Sequence, residues 1–351
     1  MRADSPAGPP QGRGASKNPP NRFEGFVRDP DPEAESPSPL TQFLPDQSKS
    51  IIATNESPDV GFEASINPYR GCEHGCIYCY ARPTHEYLGF SSGLDFETKI
   101  LVKERAPELL RQALSSPRWN PRVLAISGVT DPYQPVERRL RITRACLKVL
   151  ADFRNPVVVI TKNFLVTRDI DVLSELARHE GAAVFLSITS LRPELCGAME
   201  PRTSRPRKRL DAIRELSRAG VPVGVNIAPV IPGLTDEEIP AIIDAAVEAG
   251  ARFAGMGLLR LPFAVKELFE TWLGSHLPER REKILNRIRS VRGGRLNDPN
   301  FGSRMAGEGI FSEQIAALFD ACSKRAGIAG ASPRLSTDHF RRASGAQLAL
   351  F

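Results

Sequence analysis

The sequence predicts an α/β fold: a partial (β/α)6 TIM-like barrel with a disordered N-terminal tail and a C-terminal helical extension. Three observations predict it. Short apolar runs alternate with amphipathic stretches six times between about residues 60 and 275, and such alternation implies a parallel sheet with right-handed crossovers. Six units fall short of the eight that close a full barrel. No strand is followed by a G-x-G-x-x-G or Walker lysine loop, which disfavours the alternative, a doubly wound nucleotide-binding sheet.

Taken in order, residues 1–50 are rich in Pro, Gly, Ser and Asp and lack periodicity, the composition of a mostly disordered tail. Within it, Gly12-Arg13-Gly14-Ala15 and Asn21-Arg22-Phe23-Glu24 are either a docking segment or plain tail. The core spans residues 51–278. Its strands are expected at Phe62–Asn67, Val123–Ser127, Pro156–Thr161, Ala183–Ile188, Val221–Ala228 and Phe253–Leu259. The third contains Val157-Val158-Val159-Ile160, a run typical of a strand buried on both faces. Helices are expected at Pro107–Leu114, Leu140–Phe153, Asp169–His179, Arg207–Ala219 and Thr235–Ala249. The last has Thr235 as N-cap and Glu238 three residues on, the pattern of a capping box. Residues 279–292 and 308–325 read as two further helices of an extension, 279–351, that carries excess positive charge.

The composition is that of a globular protein, 41% hydrophobic and 25% charged, with net charge +6. No secretory leader and no run of about 18 apolar residues is visible, so a cytoplasmic location without membrane insertion is expected. In a reducing compartment the six cysteines read as thiols or metal ligands.

Three of them carry the chemistry. Cys72-Glu73-His74-Gly75-Cys76-Ile77-Tyr78-Cys79 spaces three thiolates as C-x3-C-x2-C directly after the first strand. One short loop can then hold three irons of a [4Fe–4S] cluster and leave the fourth open to a chelating ligand. The competing reading is a zinc-stabilised, non-catalytic binding module, with His74 or His85 as fourth ligand. Zinc clips usually join two separated ligand pairs, and no second pair is present. His85-Glu86 lies either at the mouth of the site or on the surface. Cys146 and Cys322 read as buried thiols, and Cys196 follows the fourth strand.

This loop, with Tyr78 before its third cysteine, resembles the radical S-adenosylmethionine superfamily. Asn67-Pro68-Tyr69-Arg70-Gly71-Cys72, Thr130-Asp131-Pro132-Tyr133-Gln134-Pro135, Ile160-Thr161-Lys162-Asn163, Pro229-Val230-Ile231-Pro232-Gly233-Leu234-Thr235 and Arg304-Met305-Ala306-Gly307-Glu308-Gly309 narrow the resemblance. Together they are similar to the Rv2578c-like or PA0069-like subfamily, related to spore photoproduct lyase. The resemblance implies an enzyme that binds S-adenosylmethionine at the open iron and cleaves it reductively to a 5′-deoxyadenosyl radical. That radical abstracts hydrogen from a substrate that the sequence does not name. It also implies an electron donor, flavodoxin or ferredoxin.

By position, the resemblance makes Cys72, Cys76 and Cys79 the cluster ligands and puts Tyr78 by the adenine. Thr130 and Asp131 stand where the superfamily often has Gly-Gly-Glu facing the ligand's ammonium; an Asp-Pro turn is the plain alternative. Lys162 would meet the ligand carboxylate, and Ser187 and Thr189 its ribose or carboxylate. Glu200, Arg202, Arg209 and Asn226 are further polar candidates. Photoproduct lyase has a hydrogen-donor cysteine where this chain reads Val129-Thr130, which argues against thymine-dimer repair. A nucleic acid held by the basic C-terminal region, repaired or modified in a photoproduct-lyase-like reaction, is the alternative substrate.

Overall fold

The computed structural model describes residues 12–24 and 40–342. Ten strands follow in chain order: β1 (Gln42–Pro45), β2 (Ile52–Thr54), β3 (Ala64–Ile66), β4 (Tyr69–Arg70), β5 (Lys99–Val102), β6 (Leu124–Ile126), β7 (Val157–Thr161), β8 (Ala182–Ser187), β9 (Val223–Val230) and β10 (Ala254–Leu258). Eight main helices accompany them: α1 (Ala106–Ser115), α2 (Ile142–Phe153), α3 (Ile170–Ala177), α4 (Pro206–Arg218), α5 (Ile239–Glu248), α6 (Val265–His276), α7 (Arg281–Ser290) and α8 (Ile310–Arg325).

The main sheet has the order β10-β9-β8-β7-β6-β3-β2. Every pair from β3 to β10 is parallel, and β2 is antiparallel at the edge. Consecutive strands are neighbours throughout. A doubly wound sheet reverses its order at a switch point; this one never does, so its crossovers run one way, as in a barrel. Among the described residues β10 pairs only with β9, which leaves the barrel open. The six parallel strands are those expected from the sequence.

Local chemistry explains the elements. Val157, Val159, Val184 and Leu186 are fully buried in the two central strands. In α4, Arg209, Ala212, Ile213 and Leu216 form one buried stripe, with Pro206 in the first turn and Gly220, at φ +76°, just past the end. Gly224 in β9 has no side chain because Phe253 lies there; a Cβ would come 2.0 Å from its ring. A second apolar cluster joins Cys76, Ile77 and Tyr78 to Phe269, Trp272, Ile284 and Ile288 of α6 and α7. The cysteine loop is therefore part of a packed interior.

One expectation needs correction, and two features go beyond the sequence reading. The capping box does not form: Thr235 makes no side-chain cap, and its hydroxyl instead accepts from the Ile231 N–H. Glu238 reaches away to Ser190 Oγ, the Leu191 N–H and Arg192 Nε. The mostly disordered tail contains ordered pieces, residues 12–24 and β1; the remainder of residues 1–39 lies outside the described residues. Finally, a small sheet, β1-β5-β4, was not expected at all.

Candidate active site

The cysteine loop follows the carboxyl end of the first barrel strand and lies in the long connection between the antiparallel β4 and β5. Gly71 and Gly75 sit at φ +78° and +67°, where a side chain would be strained. A Cβ on Gly75 would also meet the Glu97 carboxylate at 2.7 Å. Two turns, Gly75 N–H to Cys72 O and Cys79 N–H to Cys76 O, fold the loop on itself. Cys72 and Cys76 are buried and Cys79 half-buried. Burial, then the neighbouring Cys72 sulfur, pushes the Cys79 thiol up to about 11. Burial, then Glu200, raises Cys76 well above an ordinary thiol. Cys76 and Cys79, which resist ionising alone, are donors that a cationic iron centre would compensate.

Among the described residues, no three His, Cys, Asp or Glu side chains converge to hold a single ion. His74 is engaged on both ring nitrogens, by Asp131 at 3.3 Å and the Asn163 amide at 3.1 Å. His85 is wholly buried behind Gly71, its Nε2 3.0 Å from the Lys99 carbonyl, and burial lowers its pKa to about 4. Glu86 is buried too, so the pair lies neither at a mouth nor on the surface as expected.

The strand ends converge on Glu200, which follows a short helix, Pro193–Met199. Its carboxylate accepts from Tyr78, Thr189, Lys162 and Arg209. Lys162 Nζ, at the end of β7, lies 3.2 Å from Glu200, 3.1 Å from Thr189 Oγ1 and 3.1 Å from the Ala228 carbonyl. Arg209 also donates to the Ser187 and Ser204 carbonyls. Burial alone would raise the Glu200 pKa; Arg209, then Lys162, overcome it and hold the carboxyl well below its usual range. Burial and then Glu200 raise Tyr78, which stays a neutral donor. Two cations and one carboxylate leave the network one positive charge in excess, and only Lys162 keeps access, at 14% side-chain exposure.

The remaining candidates stand apart from this network. Asn226, half-buried on β9, pairs in register with Ser187, and its amide has no hydrogen-bond partner among the described residues. Arg202 pairs with Glu73 at 3.1 Å on the outer flank of the loop. Thr130 donates to the Gly71 carbonyl at 2.7 Å. Asp131 accepts from Thr161 Oγ1, the Lys162 N–H and the Tyr133 N–H, besides His74. Both side chains brace the loop, so neither is free for the ligand's ammonium, the contact expected by position. Cys146 and Cys322 are buried as expected, and Cys196 is buried with its thiol on the Ser190 carbonyl.

Sequence reasoning missed the back of the loop. Wholly buried Arg82 donates to the Cys76, Gly75, Ser92 and Gly93 carbonyls and pairs with wholly buried Glu97 at 2.5 Å. Glu97 in turn accepts from the Gly14 and Ala15 N–H groups, 3.0 and 2.9 Å away. The N-terminal strap is thus clamped across the loop. Gln134 adds a brace by accepting from the Glu73 N–H and donating to Gly71 and Thr130. Only Gly12–Ala15, weighed as a docking segment, hinted at any of this.

A loop of three thiols at the carboxyl end of an open, sequential βα barrel defines a class. The chain belongs to the Radical SAM superfamily, whose sequence profile matches residues 66–246, and it is an enzyme of that class. Its relatives make the assignment narrower. It is 36% identical over 232 residues to the uncharacterized protein Rv2578c of Mycobacterium tuberculosis (strain ATCC 25618 / H37Rv), covering 65% of this chain and 68% of that one. It is 30% identical over 227 residues to the uncharacterized protein MJ0683 of Methanocaldococcus jannaschii, covering 65% and 81%. In fold it is similar to spore photoproduct lyase complexed with dinucleoside spore photoproduct, with TM-score 0.57, 15% identity and coverage of 81% and 79%. No helix among the described residues is long and apolar enough to cross a membrane.

Proposed function

We propose that this chain is a radical S-adenosylmethionine enzyme that holds one [4Fe–4S] cluster on Cys72, Cys76 and Cys79 and abstracts hydrogen from its substrate. The observation that carries the reading is a loop of three thiols, two buried and one half-buried, beside which His74 is held on both ring nitrogens and His85 lies wholly buried behind Gly71. A single zinc would need four ligands converging within about 2.3 Å of the ion, whereas a cubane takes one thiolate per iron. When bound, the cluster and S-adenosylmethionine supply a one-electron cleavage and a hydrogen-abstracting radical.

The protein's own groups bind and orient. Lys162, with the excess positive charge around Glu200, fits the carboxylate of the amino acid moiety. Tyr78, Thr189 and Glu200 hold that ammonium in place. Ser187 and Asn226 offer polar contacts beside it, and the unpartnered Asn226 amide is the freer of the two. Thr130, Asp131 and Arg202 act as positioning residues that fix the loop. The strap and the helices α6 and α7 exclude water, which an alkyl radical requires. All six cysteines are free thiols, which suits a cytoplasmic enzyme reduced by a flavodoxin or ferredoxin.

A nucleic-acid substrate docked on the basic C-terminal region is a weaker reading. Arg304 there is paired with Asp59, Arg325 with Asp244, and Arg292 is buried on carbonyl oxygens. Affinity for DNA or RNA that falls steeply with salt would restore it.

Anaerobic reconstitution tests the main proposal. The expected result is about four irons and four sulfides per chain, lost when Cys72, Cys76 and Cys79 are all changed to Ala. On reduction, 5′-deoxyadenosine should form. A colourless protein with one zinc per chain would overturn it.

A further inference from the structure

Residues 302–307 cross the open seam of the barrel. Arg304 pairs with Asp59, in the loop between β2 and β3, and donates to Ser57 Oγ at 2.6 Å. The Gly302 N–H donates to the same carboxylate at 2.6 Å. Five residues after Gly302, Gly307 packs on β10, where a Cβ would lie 2.6 Å from Leu258 Cδ1. The last barrel strand is thereby tied to the approach to the first.

Arg260 lies against this bridge and follows β10. Its guanidinium stands 5.3 Å from the ring of Tyr80, the residue after Cys79. Tyr80 in turn donates to the Gly128 carbonyl at the end of β6, at 2.8 Å. The hydrogen bond that Arg260 makes is to a thioether, Met305 Sδ, at 3.9 Å. Its Nε is buried without a partner, and among the described residues no carboxylate lies within ion-pair distance. The adjacent arginines are satisfied: Arg304 has Asp59, and the terminal nitrogens of Arg292 donate to the Leu259 and Ser303 carbonyls. Burial, then Arg304, holds the Arg260 pKa below the usual guanidinium value. A half-buried cation with no oxygen acceptor is costly, yet it is kept one side chain away from the cysteine loop.

We propose that Arg260 binds an oxyanion of the substrate, a phosphate or a carboxylate, and so fixes the substrate's distance from the cysteine loop. The inference rests on the enzyme reading above and deepens it by naming a chemical class. A guanidinium fork suits either anion, and both would replace a weak sulfur contact by charge-assisted hydrogen bonds.

Calorimetric titration of the full chain with inorganic phosphate and, separately, with acetate tests this. The wild type is expected to bind at least one of them, and the preferred anion tells phosphate-bearing from carboxylate-bearing substrates. Arg260→Gln should weaken that binding about tenfold or more. Arg260→Lys, which keeps the charge and loses the fork, should fall between. Arg325→Gln, an exposed arginine paired with Asp244, should leave it unchanged. If Arg260→Gln does not fold, Arg260→Lys decides, and wild-type affinity in that variant overturns the proposal. Equal affinity in wild type and Arg260→Gln, or no binding of either anion by the wild type, also overturns it. Iron and sulfide counts on the same preparation report separately on the cluster, so failure of one assignment is distinguishable from failure of the other.

Discussion

Two wholly buried arginine–glutamate pairs flank the cysteine loop, Arg82–Glu97 behind it and Arg209–Glu200 in front. Behind, Arg82 ends on four backbone carbonyls and Glu97, and Glu97 ends on backbone N–H groups of the strap. In front, Glu200 ends on side chains, and one of them, Lys162, is partly exposed. Charges closed on backbone fix a shape. Charges closed on side chains, with a cation at the rim, can exchange partners when a ligand arrives. The same residue types thus make a closed clamp on one side and, under the proposed function, a receptor on the other.

The largest effect should come from breaking the clamp. Glu97→Ala leaves Arg82 buried without its counter-charge, at a cost of about 3–5 kcal/mol. Chemical denaturation should show it, and hydrogen exchange should show the Gly14 and Ala15 amides losing protection. A variant that melts like the wild type would mean the rear pair does not hold the loop.

A second test uses acid. His85, behind the loop, has a folded pKa of about 4 against about 6.5 when unfolded. Between those values the unfolded chain takes up a proton that the folded chain refuses. Stability is therefore fully present above about pH 6.5 and declines as the pH falls toward 4, by about 3 kcal/mol in all. Glu200 is depressed instead, so its contribution is fully present above about pH 4 and is lost progressively as the pH falls from there through its folded pKa. Urea unfolding at pH 7 and pH 5 should show the decline in wild type and a flatter response in His85→Gln. An unchanged slope would remove the acid difference between rear and front.

The smallest expected effect falls on the front. Lys162→Met removes one of two cations from Glu200 but leaves Arg209 paired with it, so the stability loss should be about 1–2 kcal/mol, below that of Glu97→Ala. Affinity for S-adenosylmethionine should fall about tenfold, the loss of one charge-assisted hydrogen bond. Equal affinity by equilibrium binding would place the ligand carboxylate elsewhere.

What the sequence made legible follows from range. Apolar runs are local, and Val157–Ile160 is read at sight as a strand, although only Val157 and Val159 of it are buried while Val158 and Ile160 on the other face are half-buried. Three cysteines within eight residues are equally local. The clamp was illegible because its partners lie far apart: Glu97 meets Gly14 across 83 residues and Arg82 across 15. Composition pointed the wrong way as well, since the strap lies in a proline-rich stretch that reads as tail. Asp131 was found as a residue of the site, but proximity in sequence to the second strand could not tell that four donors already surround it. Glu238 fitted a helix-start pattern; its carboxylate was claimed from 46 to 48 residues away.

Gly14 approaches the loop so closely that a Cβ there would lie 1.8 Å from the Gly75 carbonyl oxygen. The strap therefore behaves as a moulded stopper, and it sits well before residue 66, where the family profile begins. A fragment trimmed to that profile would keep all three cysteines of the loop yet hydrate the flank of Cys76. A protease that clips only the strap should bleach the proposed cluster while leaving the barrel intact.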